Sequence, residues 1–363
     1  MAKTTRRRGT RTGKKSAIQE EHGKRIGMKI LLVLTLPVLI FIITGISATL
    51  GSADLTIWDA YSAILHKIFP EYFYTTWLSD ICVWHLRLPR IAWAITAGFG
   101  LGISGAAMQA ILRNPLASPF TLGISSGAAF GVSLAIVLNL GFFGGMWLII
   151  GNAFIFAMLC SGLILGLASI RGATSEIMIL CGIAMNYIFG AASSLFKYFA
   201  SDQELREMSF WGMGDLGAFS WEELRIVMAL IAIGSFVLMR KAWDLNVMTV
   251  GDETAKSLGV ESNRIRAVVM TASSLLIAGI VAFTGIIGFV GLVGPHMARM
   301  VIGADHRFLL PASGLLGGVI LLGADTVGRT ILAPIILPVG SMTSMLGVPF
   351  FLYLILKRRR EYW

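Results

Sequence analysis

The residues that could carry chemistry are few in this sequence, and they are not spaced as catalytic or metal-binding groups are. Cys82, Cys160 and Cys181 lack the close spacing of metal ligands, and His296 follows Pro295 with no second histidine beside it. No GxxxxGK[ST] phosphate-binding loop occurs, so ATP hydrolysis by that route is excluded for this chain. The sequence therefore predicts no catalytic residue, no metal site and no directly bound cofactor.

The most distinctive polar stretch is segment 240–266, which lies between two long apolar runs. Within it, Thr249 and Asp252 occupy capping-box-like positions for a short helix, and Gly259 is a natural C-terminal cap. The helix carries a strip at four-residue spacing: Val250, Thr254 and Leu258. Because a two-turn helix is marginal by itself, we expect the strip to fit a groove in a cytoplasmic protein; the alternative is a merely solvated loop.

Composition indicates what surrounds this segment. Of 363 residues, 56% are hydrophobic and 14% are charged, and the mean hydropathy is +0.77. Soluble domains carry about 25% charged residues. The charges cluster between charge-free runs, several of which reach the roughly 20 residues that a membrane-spanning helix needs. The sequence predicts an all-α, polytopic transmembrane helical bundle, with residues 30–360 forming a single domain.

The positions of the cations predict the orientation of this bundle. Cytoplasmic loops are rich in Lys and Arg, and the basic residues concentrate in the tail 1–29, in segment 240–266 and at the C-terminal end. Both termini are therefore predicted to be cytoplasmic, which requires an even number of spans. We expect about ten spans, one of them a short or broken leg near Pro295 that packs inside the protein.

The N-terminal tail, residues 1–29, is predicted to be a mostly disordered cytoplasmic anchor rather than a nucleic-acid-binding arm. Arg87 and Arg90 close the longest outer loop, on the side where cations are disfavoured. They either anchor the next helix to lipid headgroups or dock an acidic partner, because Arg pairs well with carboxylates.

The fifth predicted span, Glu176 to Phe199, carries the polar residues Asn186, Ser193 and Ser194, with Lys197 near its outer end. These side chains either line a transport pathway and its gate or form interhelical hydrogen bonds. Ion-coupled carriers and proton pumps keep ionisable groups at mid-membrane depth. The sequence shows no paired acids or histidine clusters there, which disfavours such a carrier.

Several ordered motifs then carry a resemblance. They are RLPR at 87–90, NPLASP at 114–119, WGMG at 211–214, GDETAKSLG at 251–259, GFVGLVGPHMAR at 288–299, ADH at 304–306 and LPVGSMTSMLGVPFF at 337–351. Together they resemble the permease subunits of the iron-siderophore, haem and cobalamin ABC importers. The resemblance covers roughly residues 31–360 and leaves out the basic tail.

The resemblance implies a homodimer in the cytoplasmic membrane, two ATPase subunits that bind ATP and Mg, and an extracytoplasmic substrate-binding protein. It implies that Arg87, Arg90 and Arg329 meet acidic residues of the binding protein. It also implies that a coupling helix fits a cleft of the ATPase, formed by Asp252, Glu253, Thr254, Ala255, Lys256, Ser257, Leu258 and Gly259. The cargo expected is a bulky metal chelate, iron-siderophore first, then haem and cobalamin. The alternative is an ATP-independent carrier or channel for a small solute.

Overall fold

The chain folds as a bundle of helices. A computed structural model describes residues 10–51, 55–141 and 143–357, and within these ranges the secondary structure is helical, without β-strands. The all-α prediction is therefore confirmed for the described residues. In chain order the helices are α1 (Thr10–Thr49), α2 (Ile57–His66), α3 (Trp77–Asp80), a π-helical turn (Ile81–Arg87), α4 (Leu88–Ile111), α5 (Ile124–Leu138), α6 (Met146–Ile170), α7 (Ser175–Phe199), α8 (Asp202–Met213), α9 (Trp221–Arg240), α10 (Ala242–Met248), α11 (Asp252–Ser257), α12 (Ser262–Thr284), α13 (Val290–Ile302), α14 (His306–Thr330) and α15 (Val339–Lys357).

Length and composition identify the helices that could cross a membrane. Among the described residues there are 6 such stretches, in α1, in the continuous run from α3 to α4, and in α6, α7, α12 and α14. Helices α9 and α10 pass the same test together, with a bend of 54° between them, which raises the number to 7. The shorter apolar helices are Ile124–Leu138, Val290–Ile302 and Val339–Tyr353.

Helix α4 is largely buried and packs closely against α13 and α14. A Cβ atom at Gly102 would overlap the carbonyl oxygen of Ser313 in α14, and one at Gly105 would overlap the carbonyl oxygen of Gly291 in α13. Small residues permit such close approach, which matters in lipid because packing replaces the hydrophobic drive between helices. These glycines therefore act as packing positions at the centre of the bundle.

Helix α13 is the short leg that the sequence predicted near Pro295. It has 13 residues, most of them buried, which confirms that it packs inside the protein. The interruption lies before it, however, at 285–289, where Gly285 and Phe289 have φ angles of +68° and +65°. Pro295 is inside the helix. Because a proline has no N–H, it cannot bond the carbonyl of Gly291 four residues earlier. That carbonyl lies against α4.

Of two other helix boundaries, one agrees with the prediction from the sequence and one does not. The charge-free run from Asn114 to Ile170 is long enough for two spans and is predicted from its glycines to break near Gly141 to Gly145; α5 ends at Leu138 and α6 begins at Met146, as that prediction requires. Helix α1 begins at Thr10, so residues 10–29 are helical where a mostly disordered tail was expected, and residues 1–9 lie outside the described residues. Ala, Gln, Glu and Lys in this stretch have high helix propensity, which accounts for the extension.

Candidate coupling and docking sites

The polar segment forms two short helices, α10 and α11, at the end of the bundle where α4 finishes and α7 and α12 begin; we name this the coupling end. Helix α11 is bounded by Gly251 and Gly259, with φ angles of +130° and +80°, which non-glycine residues rarely adopt. Ala255 is fully buried, whereas Val250 and Leu258 are 69% and 65% exposed. All three residues of the predicted strip are exposed, but only Thr254 lies within α11, because Val250 precedes Gly251 and Leu258 follows the last helical residue.

The predicted capping box of α11 is wrong. The residue that precedes the helix is Gly251, which has no side chain to cap it, and the hydroxyl of Thr249 donates to the carbonyl of Asn246 at 2.7 Å. The carboxylate of Asp252 instead accepts two hydrogen bonds from Nη2 of Arg266, at 2.7 and 2.9 Å. A charged partner competes successfully with the local cap because its hydrogen bonds are charge-assisted.

Asp252 is held as a carboxylate by this arrangement. Burial by itself raises its pKa, but the hydrogen bonds and the charge of Arg266, together with the charge of Arg113, keep the pKa below its usual value. Arg113 approaches the same carboxylate at 3.4 Å. The first residue of α11 is thus fixed to the bundle by two cations, one of which, Arg266, is 1% exposed.

A second polar cluster ties α10 to the turn between α13 and α14. The Nδ2 group of Asn246 donates to Asp305 at 2.9 Å, and its Oδ1 accepts from the backbone N–H of His306 at 2.8 Å. Arg307 binds Asp305 at 2.6 Å and lies 4.1 Å above the ring of Trp243. The hydrogen bonds from Arg307 lower the pKa of Asp305 far below its usual value. The sequence motif ADH at 304–306 therefore has a visible structural role, in anchoring α10.

At the opposite end of the bundle, the structure brings together the three arginines predicted to dock a partner. Arg87, Arg90 and Arg329 are 6%, 7% and 6% exposed. Asp325 has no exposed side-chain area and accepts from Nε of Arg90 at 2.7 Å and Nε of Arg329 at 2.9 Å. The sequence analysis missed Asp325; its signal is the spacing of four residues from Arg329 within one helix, which allows an ion pair.

Two of these arginines also satisfy the end of α1. Arg87 donates to the carbonyls of Ala48 and Thr49 at 2.8 and 3.1 Å, and Arg329 donates to the carbonyl of Leu50 at 3.2 Å. The last carbonyls of a helix lack intrahelical partners and carry partial negative charge. Buried arginines are suited to this position, so their contacts within the chain are structural.

The arginines line a cavity of about 230 Å³ together with Cys82 and His85. Nη1 of Arg90 lies 3.3 Å from the half-exposed carboxylate of Asp215. Nη2 of Arg90 is buried and has no hydrogen-bond partner among the described residues. Arg90 therefore lines this cavity and retains unused hydrogen-bonding capacity, although Nη2 itself is buried.

The predicted pathway residues lie on α7, whose bounds match the predicted fifth span closely. Asn186, Ser194 and Lys197 are exposed, and the Oδ1 atom of Asn186 accepts a hydrogen bond from the hydroxyl of Ser126 on α5. Ser193 is buried, and its hydroxyl donates to the carbonyl of Phe189 at 2.8 Å. Their role in a pathway stays a prediction.

A larger cavity, of about 610 Å³, lies elsewhere in the bundle. Its walls come from the end of α8, the start of α13, the start of α15 and the turn at 118–121. The lining combines apolar side chains such as Phe289 and Met345 with the hydroxyl-bearing residues Ser118, Thr121, Ser341 and Ser344. Their signal in the sequence is the close spacing of hydroxyl groups in NPLASPFT and GSMTS.

Comparison with known proteins identifies the family to which this architecture belongs. The profile of the FecCD transport family matches residues 38–357. The chain belongs to the FecCD transport family. It is 39% identical over 297 residues to the hemin transport system permease protein HmuU of Yersinia pestis, covering 80% of this chain and 89% of that protein.

Two further comparisons agree with this assignment. The chain is 37% identical over 304 residues to the cobalamin import system permease protein BtuC of Halobacterium salinarum, covering 82% of this chain and 78% of that protein. A solved chain described as a metal-chelate type ABC transporter in an inward-facing conformation has 31% sequence identity and a TM-score of 0.79, covering 90% of this chain and 99% of that chain. The predicted family is confirmed, and this FecCD permease is a multi-pass protein of the cytoplasmic membrane.

Proposed function

We propose that this FecCD permease is the membrane subunit of an ATP-driven importer that moves a bulky metal chelate from a binding protein into the cytoplasm. It works as a homodimer of ten-span subunits with two ATPase subunits. The observation that carries the proposal is the exposed surface formed by α11 and by the apolar residues Val250 and Leu258 that flank it. A short helix flanked by exposed apolar side chains, and held by an ion pair to a buried arginine, fits the helix-in-groove mode of recognition.

The coupling end transmits the state of the ATPase. When ATP closes the ATPase subunits, α11 moves with them, and α7 shifts at the axis of the dimer. The ATPase can shift the permease between states only by binding one of them more tightly. The fixed attachment of Asp252 to the bundle supports this role, because a loosely attached helix would absorb the displacement instead of passing it on.

The cargo is expected to be an iron-siderophore, haem or cobalamin. The cavity of about 610 Å³ supports a bulky molecule, since ligand sites commonly occupy about 300–1,000 Å³ and combine apolar walls with a few polar groups. Its hydroxyl groups suit neutral oxygen-rich or amide-rich surfaces. HmuU and BtuC, named for hemin and cobalamin, favour the same class of cargo.

The end of the bundle that carries Arg87, Arg90 and Arg329, which we name the arginine end, receives the binding protein. Arg90 supports this, because it lines a cavity and its buried Nη2 atom is unsatisfied among the described residues, and Arg binds carboxylates well. Arg87 and Arg329 contribute positive charge to that cavity while they hold the end of α1.

The experiment is uptake into proteoliposomes that contain the permease with its cognate ATPase and binding protein. Iron-labelled ferrichrome, haemin and labelled cyanocobalamin are supplied in turn, and each is also used as an unlabelled competitor. We expect uptake of one chelate that requires hydrolysable ATP and the binding protein. Equal uptake by vesicles that lack the ATPase would overturn the proposal in favour of an ATP-independent carrier or channel.

A further inference from the structure

Arg266 joins four elements at the coupling end. It lies near the start of α12 and is 1% exposed. Its Nε group donates to the carbonyl of Ile111, the last residue of α4, at 3.2 Å. Its Nη2 group donates to the hydroxyl of Ser175, the first residue of α7, at 3.2 Å and to both oxygens of Asp252, the first residue of α11. One side chain therefore connects α4, α7, α11 and α12.

The connection is rigid on the bundle side. The hydroxyl of Ser175 donates to the same carbonyl of Ile111 at 3.1 Å, so α4, α7 and Arg266 form a closed polar triangle. Arginine suits this position because its guanidinium is planar and presents several donors in a fixed geometry. A lysine carries all its donors on a single nitrogen, so it cannot occupy the separate positions of the Nε and Nη2 donors of Arg266.

The contact between Arg266 and Asp252 is the main polar attachment of α11 to the rest of the bundle. This helix has six residues, of which Ala255 is buried, while Glu253, Thr254, Lys256 and Ser257 are exposed. The second contact of its Asp252, with Arg113, is longer, and both side chains are 34% exposed. A partly exposed ion pair contributes less than a buried one, so Arg266 dominates how α11 follows the bundle.

We propose that Arg266 is the positioning residue that makes α7 move with α11, so that displacement of the coupling helix reaches the predicted pathway. The inference rests on the proposed function and adds a specific route to it. The route runs from the Asp252 carboxylate through the Arg266 guanidinium to the N-terminus of α7 and the C-terminus of α4.

The test compares transport with ATP hydrolysis in the reconstituted complex of permease, ATPase and binding protein. Arg266→Gln and Asp252→Asn are the informative variants, and the latter alters a half-buried side chain without a change in size. Arg264→Gln is the matched control, because Arg264 is exposed on the same helix two residues away. The readout is the number of chelate molecules imported per ATP hydrolysed, with ferrichrome, haemin and cyanocobalamin each supplied in turn.

We expect both informative variants to lower this ratio at least tenfold while they keep at least half of the ATPase rate, and we expect Arg264→Gln to leave the ratio unchanged. Asp252→Glu, which keeps the charge, restores part of it. A role in folding alone would lower protein yield, hydrolysis and uptake in parallel and would leave the ratio constant, which overturns the inference.

A second readout does not depend on transport. Spin labels at Lys256 on α11 and Leu180 on α7, in a cysteine-free background and with labelled chains diluted into an excess of unlabelled ones, report the distance between these helices within one chain. In the otherwise unaltered protein we expect one narrow distance distribution, which broadens in Asp252→Asn. An equally narrow distribution in that variant overturns the inference, even where the wild-type complex transports normally. A wild-type complex without ATP-dependent uptake of any of the three chelates overturns the proposed function, and this inference with it.

Discussion

Removal of the Asp325 carboxylate tests how the arginine end is built. Asp325 has no exposed side-chain area and binds Arg90 and Arg329 at 2.7 and 2.9 Å. Removing one partner of a buried ion pair costs about 3–5 kcal/mol, because the other charge is left buried without compensation. Since two arginines lose their counter-ion, we expect Asp325→Ala to reach the upper part of this range.

Asp215→Asn is the matched control, because Asp215 contacts the same Arg90 at 3.3 Å but its side chain is 52% exposed. An exposed pair contributes only about 0–1 kcal/mol. The assay is equilibrium unfolding of the purified permease in mixed dodecylmaltoside–SDS micelles, followed by tryptophan fluorescence. The reasoning about a buried charge network is refuted if the free energy of unfolding of Asp325→Ala lies within about 1 kcal/mol of the wild-type value. It is also refuted if Asp325→Ala lowers this free energy no more than Asp215→Asn does.

Three further predictions concern the rest of the chain. Gly105→Ala places a Cβ against the backbone carbonyl of Gly291, and overpacking of this kind costs about 1–3 kcal/mol, measurable in the same unfolding assay; an unchanged stability would contradict the packing described. Leu258→Ser changes a 65% exposed side chain, so we expect stability within about 0.5 kcal/mol of the wild type but at least a fivefold loss of ATP-driven uptake; normal uptake would argue against a partner at this strip. Because the folded pKa of Asp252 is depressed, its pairing stabilises the coupling end fully above the unfolded value near 3.8 and is lost as pH falls through the folded pKa. Mobility of a spin label at Lys256 should therefore stay constant from pH 8 to pH 5 and rise only at strongly acidic pH; a rise near pH 6 would contradict this assignment.

The sequence was sufficient for features that depend on local pattern. The bounds of α7, the break between α5 and α6 and the burial of the leg around Pro295 follow from charge-free length, glycine clusters and the parity of spans. The position of α11 follows from Gly251 and Gly259, which bound a short run that contains Glu253, Ala255 and Lys256, residues of high helix propensity. These signals lie within a few residues of the features that they specify.

The features that the sequence did not reveal depend on contacts between distant segments. Nothing near Asp252 indicates that Arg266 will bind it and replace a local cap, and nothing near Arg329 indicates that the end of α1 supplies its acceptors. Pro295 was expected to interrupt its helix, whereas the close approach of α4 makes a proline tolerable and the break falls at Gly285. Such outcomes depend on which helices become neighbours.

The family-level resemblance supplied roles that neither local pattern nor a single chain can specify. Coupling to an ATPase and docking of a binding protein are properties of an assembly, and the strip around Leu258 and the cavity beside Arg90 are the surfaces of this chain that support them. The pathway residues on α7 depend in the same way on the second subunit of the proposed dimer.

The central claim, that α11 meets the ATPase and moves with it, is tested most directly by crosslinking. Ser257→Cys places a thiol on the exposed side of α11, and the same change at Lys256 and Leu258 scans its neighbours, with Arg264→Cys as the control. We predict a crosslink to the cognate ATPase from at least one α11 position, with a yield that changes when ATP is bound, and none from position 264. Failure of every α11 position to crosslink, or a yield indifferent to ATP, would contradict the account.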